Sequence, residues 1–194
     1  MDSAKFLRSQ TDKIVSLTDE EFDCLFNCFK LKKVEKNDYF LKTGTICNFL
    51  GFLVTGTMVY LKPNELGDEM TTDFAFEGDW VNSVISRLTN SPSVLNIKAL
   101  EDCELLVIKT EDLDRLYTQI HKIERLGRIF TEIAFVRFVE QNINFQVLSA
   151  KERYETLLKK HPEIFQKVQL YHIANYLGIA PKSLSRIRKE VFDK

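Results

Sequence analysis

The first regular pattern of apolar positions is Phe22, Leu25, Phe26 and Phe29, which recur at helical spacing. Thr18-Asp19-Glu20-Glu21 stands before them as a capping box, with Thr18 at the N-cap and Glu21 at N3. Leu17 and Phe22 occupy the staple positions, and the pattern predicts a helix to about Lys30. From about residue 31 to 109 the texture changes. Short β-prone runs at 39–41, 49–54, 57–61, 70–76, 94–100 and 105–108 alternate with turn residues such as Thr55-Gly56 and Glu77-Gly78-Asp79. Strands at this pitch predict an antiparallel roll or barrel. Residues 80–88 interrupt it with a short helical turn.

A second helical stretch opens at Thr110-Glu111-Asp112-Leu113, with Thr110 as the expected N-cap. A longer helix is predicted over 120–145, about 39 Å at 1.5 Å per residue. It is apolar on more than one face, so one stripe must bury against its own domain and another against a partner. Self-association is the economical reading, and Leu126, Phe130 and Ile133 are assigned to that interface. Ser149-Ala150-Lys151-Glu152 is a further capping box, and the helix it opens stops at His161-Pro162.

The remaining segment reads as helix, turn, helix. Ala174 is small where two helices cross, Gly178 supplies the turn, and Pro181 suits the first turn of the second helix. Ile173, Leu177, Leu184 and Ile187 are the expected packing residues. Lys182, Ser183, Ser185, Arg186 and Lys189 are left facing outward as donors for phosphates and base edges, as a recognition helix requires.

Charge sharpens this picture. The 194 residues carry 27 Lys+Arg and 28 Asp+Glu, a net charge of −1, which taken alone argues against a nucleic-acid partner. The charge is unevenly placed. Residues 150–194 hold ten basic and five acidic side chains, a balance of +5, and the rest of the chain stands at −6. No apolar run is long enough to span a membrane, and Met1-Asp2-Ser3-Ala4-Lys5 leads into no signal-peptide core, so a cytoplasmic location is expected. Cys24, Cys28, Cys47 and Cys103 fit no metal framework and read as free thiols. His121, His161 and His172 lie in no ligand motif, and no nucleophile, base and stabiliser occur together, so neither a metal site nor an enzyme is expected.

A β-roll, a long helix and a C-terminal helix-turn-helix in that order resemble the Crp/Fnr (catabolite activator) family of bacterial transcription regulators. The resemblance covers nearly the whole chain and rests on Gly56, on Glu77-Gly78-Asp79-Trp80-Val81 and on residues 170–189. It implies an α+β protein. Residues 1–117 would form a cyclic-nucleotide-binding-like jelly roll, 118–147 a dimerisation helix and 148–194 the DNA-binding domain. It further implies a homodimer, double-stranded DNA as partner, RNA polymerase as a further protein partner, and a small-molecule effector. The sequence departs from the family at two places. Aligned without gaps, the positions that hold ribose and phosphate in cyclic-AMP-binding members are Asn82-Ser83 and Ser93-Val94, and the phosphate-binding arginine is missing. Lys98 is near in sequence, but strand alternation gives no reason to aim it there. A buried cyclic phosphate would lack its cation, which argues against cyclic-nucleotide binding and leaves the effector unidentified. Only five residues follow Lys189, so a full wing is not expected, and phosphate contacts would fall to the helix-turn-helix, to residues 151–167 or to Arg188 and Lys194. The rival reading is a small-molecule-binding or protein-interaction module with a vestigial helix-turn-helix.

Overall fold

Two antiparallel four-stranded sheets stack face to face, and a helical layer covers the outer face of each. A computed structural model of the chain describes residues 2–64 and 67–192. In chain order the elements are α1 (Ser3–Thr11), α2 (Asp19–Phe26), β1 (Lys30–Val34), β2 (Tyr39–Leu41), β3 (Phe49–Thr55), β4 (Met58–Pro63) and β5 (Glu69–Ala75). There follow β6 (Trp80–Val81), α3 (Val84–Thr89), β7 (Asn96–Ala99), β8 (Cys103–Lys109), α4 (Thr110–Gln119) and α5 (His121–Val147). The chain continues with α6 (Ala150–Lys160), α7 (Ile164–Lys167), α8 (Leu170–Tyr176) and α9 (Pro181–Phe192). The sheet orders are β1-β8-β3-β6 and β2-β7-β4-β5. Among the described residues no strand follows β8, and no helix is long and apolar enough to cross a membrane.

Period-two alternation explains the layering. On β8, Cys103 and Leu105 point into the core between the sheets, and Leu106 and Ile108 point into the core beneath α1, α2, α4 and α5. On β4 and β5, Met58 and Ala75 face inward, and Val59, Leu61 and Phe74, with Phe76 just past β5, face a third core built with α6 to α9. Strands buried on both faces lose the polar half of their alternation, which is why 58–61 on β4 and 105–108 on β8 read as continuous apolar runs.

The capping box at Thr18 is formed, with Glu21 N donating to Thr18 Oγ1 at 3.2 Å. The helix it opens stops at Phe26 instead of near Lys30, because Lys30 already pairs with Val107 of β8. β1 is an edge strand exposed over its first four residues, Lys30 to Lys33, so its lysines guard the edge and hide the strand from pattern reading. α1 has a polar sequence with two fully buried residues, Leu7 and Thr11, and the Asp2 side chain caps it. The segment at 80–88 splits: Trp80 and Val81 pair with Phe52 and Gly51, and helix begins only at Val84. Thr110 is the first residue of α4 and not its cap; Lys109 stands at the N-cap and gives no side-chain bond. The long helix begins at His121, after an extended Ile120 (φ −130°, ψ 97°) separates it from α4. A Cβ at Gly127 would run into the Tyr117 hydroxyl, so glycine lets α4 lie against α5.

Candidate nucleic-acid interface

α8 and α9 form the helix-turn-helix. Gly178 has φ +68°, Ile179 N bonds Ala174 O and Gly178 N bonds Asn175 O, each at 3.0 Å. This is a Schellman closure with glycine at the left-handed position. Ile173, Ala174, Leu177 and Leu184 are buried in the seam between the helices, with Ile187 and Val191 packed against it. The seam fixes which face of α9 looks outward. Lys182, Ser185, Arg186 and Lys189 are exposed, and Ser183 is half-buried. The Ser185 hydroxyl donates back to Pro181 O at 3.1 Å, so it is partly engaged by its own helix. Arg188 turns inward and stacks over the Phe165 ring at 5.1 Å, which removes it from the outward face. Lys151 is held by Glu190 at 3.3 Å. Lys194 lies outside the described residues.

The helix-turn-helix is seated on the second sheet. β5 is that sheet's edge, and Asn175 Oδ1 accepts from the Thr71 backbone N–H at 2.8 Å. The Thr71 hydroxyl lies 3.0 Å from His172 Nδ1, and the Tyr171 hydroxyl donates to Glu69 O at 3.4 Å. Burial, reinforced by the Lys98 charge and opposed by Glu69, lowers the His172 pKa from 6.5. Arg153, expected only as part of the 151–167 stretch available to phosphate, instead ties three segments together. Its guanidinium donates to Leu148 O at 2.7 Å, Leu177 O at 2.9 Å and Phe145 O at 3.3 Å. A cation at the C-terminal ends of α5 and α8 meets two favourable helix dipoles. These acceptors are backbone carbonyls, which carry no sequence signal.

The positions expected to form an effector pocket are brought together only in part. Ser83 and Ser93 are buried and their hydroxyls lie 3.0 Å apart, so each satisfies the other. Ser93 Oγ also accepts from Leu95 N at 3.1 Å. Asn82 Oδ1 is buried without a partner, whereas Val94 is 51% exposed and turned away. Lys98 lies against the Tyr39 ring at 5.5 Å. The space between the sheets is filled by side chains, with Phe40 and Phe49 packed edge to face at 4.9 Å and a Cβ at Gly51 already 3.0 Å from Phe40. Among the described residues no cluster of His, Cys, Asp and Glu could hold a metal ion.

On α5 the assignment of partner-facing residues needs correction. Leu126 is 4% exposed because it packs into its own subunit's core, and Phe130 lies edge-on to Trp80 at 5.3 Å. Only Ile133 of the three is open, at 53%. The exposed apolar run continues beyond it through Phe135, Val136, Phe138, Ile143 and Val147.

This arrangement has known counterparts. Residues 31–120 match the family model described as the cyclic nucleotide-binding domain. The transcriptional regulatory protein btr of Bordetella pertussis is 26% identical over 133 residues, 62% of this chain. The match spans about half of that relative, 54% of its length. In three dimensions the chain superposes on FixK2 of Bradyrhizobium japonicum with a TM-score of 0.71 at 18% identity, covering 85% of each chain. The catabolite activator protein of Thermus thermophilus gives 0.57 at 18% identity, covering 91% of this chain and 84% of that one. Residues 31–120 are thus similar to a cyclic nucleotide-binding domain, and the chain shares the fold of FixK2 and the catabolite activator protein.

In this chain the roll, the long helix and the helix-turn-helix meet at Arg137. Its guanidinium lies 3.6 Å from Asp79 and 3.9 Å from Asp73, while Gln141 Nε2 donates to the Tyr176 hydroxyl at 2.9 Å. Burial raises the Asp73 pKa against the pull of Arg137. Burial and the Asp73 charge push Tyr176 up to about 12. The cluster couples α5 to both its neighbours through groups that each need the others to stay solvated.

Proposed function

We propose that this protein is a homodimeric transcription regulator of the Crp/Fnr type that binds double-stranded DNA through α9. One observation carries the reading. A closed helix-turn-helix seam holds Lys182, Arg186 and Lys189 outward on one face of α9, at the i, i+4, i+7 spacing that aligns them. Lys182 and Arg186 reach base edges in the major groove, and Lys189 contacts phosphate. Ser183 and Ser185 contribute weaker phosphate contacts, since one is half-buried and the other bonds its own helix. The exposed apolar face of α5 from Ile133 onward is the dimer seam, because burying each such side chain is worth about 1.5–3 kcal/mol. We infer that the roll transmits a signal without holding a cyclic nucleotide between its sheets. The packed interior and the paired Ser83 and Ser93 support that reading.

The test is DNA affinity measured across a salt series for the native chain and Arg186→Ala. Native affinity is expected to fall steeply with salt. The variant is expected to lose about 1–3 kcal/mol of discrimination between its selected duplex and a scrambled one. The absence of DNA binding at low salt would favour the rival reading of a protein-interaction module.

A further inference from the structure

Between α5 and α6, beside the bend at Leu148, lies a cavity of about 90 Å³. Arg137, Gln141 and Asn144 line it from α5, and Arg153, Lys160 and His161 line it from α6 and its end. None of the described residues that line it is acidic. The two carboxylates nearest Arg137 stand at 3.6 and 3.9 Å, outside hydrogen-bond range, so the part-exposed guanidinium keeps N–H groups open to a further acceptor. Lys160 has one ionic neighbour, Glu140 at 3.8 Å, and that pair is exposed and weak. Arg153 adds charge while most of its N–H groups serve carbonyls; its Nε is buried without a partner. His161 stacks on Phe76 at 4.3 Å. Its pKa lies below 6.5, mainly from burial and then from Arg137, with Lys160 adding and Asp79 and Glu163 opposing. A small opening faced by three cationic side chains, two of them part-exposed and only loosely paired, with no acidic residue among its described lining, suits an oxyanion.

We propose that this cavity binds a phosphate group, either free phosphate or the phosphate of a small metabolite, bridging Arg137 on α5 to Lys160 and His161 at the end of α6. Its size selects the ligand class. Sites for whole small molecules run to about 300–1,000 Å³, so this one admits a tetrahedral head group and not a nucleotide. Donors arriving from two helices suit an anion with several oxygens better than a single carboxylate. The site is separate from the roll interior and from the outward face of α9. A phosphate there would fix the angle between α5 and α6. That consequence for DNA binding rests on the function proposed above; occupancy of the site does not.

The test is titration of the full chain with inorganic phosphate, glycerol 3-phosphate and acetate at constant ionic strength, following the His161 ring by NMR and heat by calorimetry. Phosphate is expected to shift the His161 signal saturably and to raise its pKa. Arg137→Gln and, independently, the solvent-exposed Lys160→Gln are each expected to weaken binding at least about tenfold, with the fold checked by circular dichroism. Tighter binding of glycerol 3-phosphate identifies a metabolite as the source, and equal binding identifies free phosphate. A shift that never saturates, equal binding by both variants, or acetate binding as well as phosphate would overturn the proposal. Salt-dependent DNA binding is read separately, so loss of the phosphate site and loss of the DNA reading are distinguishable.

Discussion

Single residues decide much of this chain's behaviour through geometry that only one side chain permits. Gly127 is the clearest case, since any Cβ there meets Tyr117. Gly127→Ala is expected to destabilise the fold by about 1–3 kcal/mol despite alanine's better helix propensity, as overpacking does. Urea unfolding measures it, and an unchanged or raised midpoint would contradict the close α4–α5 contact. Gly56 combines φ +98° with a Cβ position 2.8 Å from Asp102 O, so Gly56→Ala is expected to lower stability by more than about 1 kcal/mol in the same assay. His172 gives a pH signature. Its folded pKa lies below 6.5, so the unfolded chain binds more protons in the window beneath that value. Stability should therefore be fully present above about pH 6.5 and decline as pH falls through that window. In His172→Gln that part of the decline is expected to shrink. An identical pH profile would show that His172 is not held neutral against β5.

At the scale of elements, the pattern was legible wherever an element has one buried and one solvated face. The capping boxes at Thr18 and Ser149 and the glycine at 178 mark ends of elements, and each appears where its chemistry places it. β1 was not legible because its first four positions face solvent, and α1 because it carries little apolar material. The Lys109–Thr110 boundary was misplaced by one residue because Thr110 has cap-like chemistry but its hydroxyl is buried and finds no partner. The outward basic face was legible on α9, where residue type and spacing coincide, whereas the contacts of Arg137 and Arg153 were not legible. Their partners come from distant strands, helices and backbone carbonyls. On α5 the sequence showed that two faces are apolar without showing which one the roll takes; Leu126 belongs to the roll. The open seam carries a prediction of its own. Ile133→Glu combined with Val136→Glu places charge at positions 53% and 56% exposed, so the monomer fold should survive while dimers dissociate. Sedimentation is expected to show a shift to monomer with unchanged circular dichroism. A dimer that persists would move the interface elsewhere.

The whole molecule is a chain of three cores that share their walls. The helical core backs onto the first sheet, the roll core lies between the sheets, and the third joins the second sheet to α6 to α9. That third core and the Thr71–Asn175 contact hold the helix-turn-helix at a set place on the roll, instead of leaving it on a free tether. The net charge of −1 conceals this division of labour, with the basic balance confined to residues 150–194. For a dimer so built, two copies of α9 should enter successive major grooves about 34–36 Å apart. The most direct measurement is a hydroxyl-radical footprint of the duplex that the protein selects from a random pool. Two protected patches, centred about 10–10.5 base pairs apart and related by a two-fold axis, are the expected result. A single patch, or no protection at low salt, would contradict a dimer that reads DNA through α9.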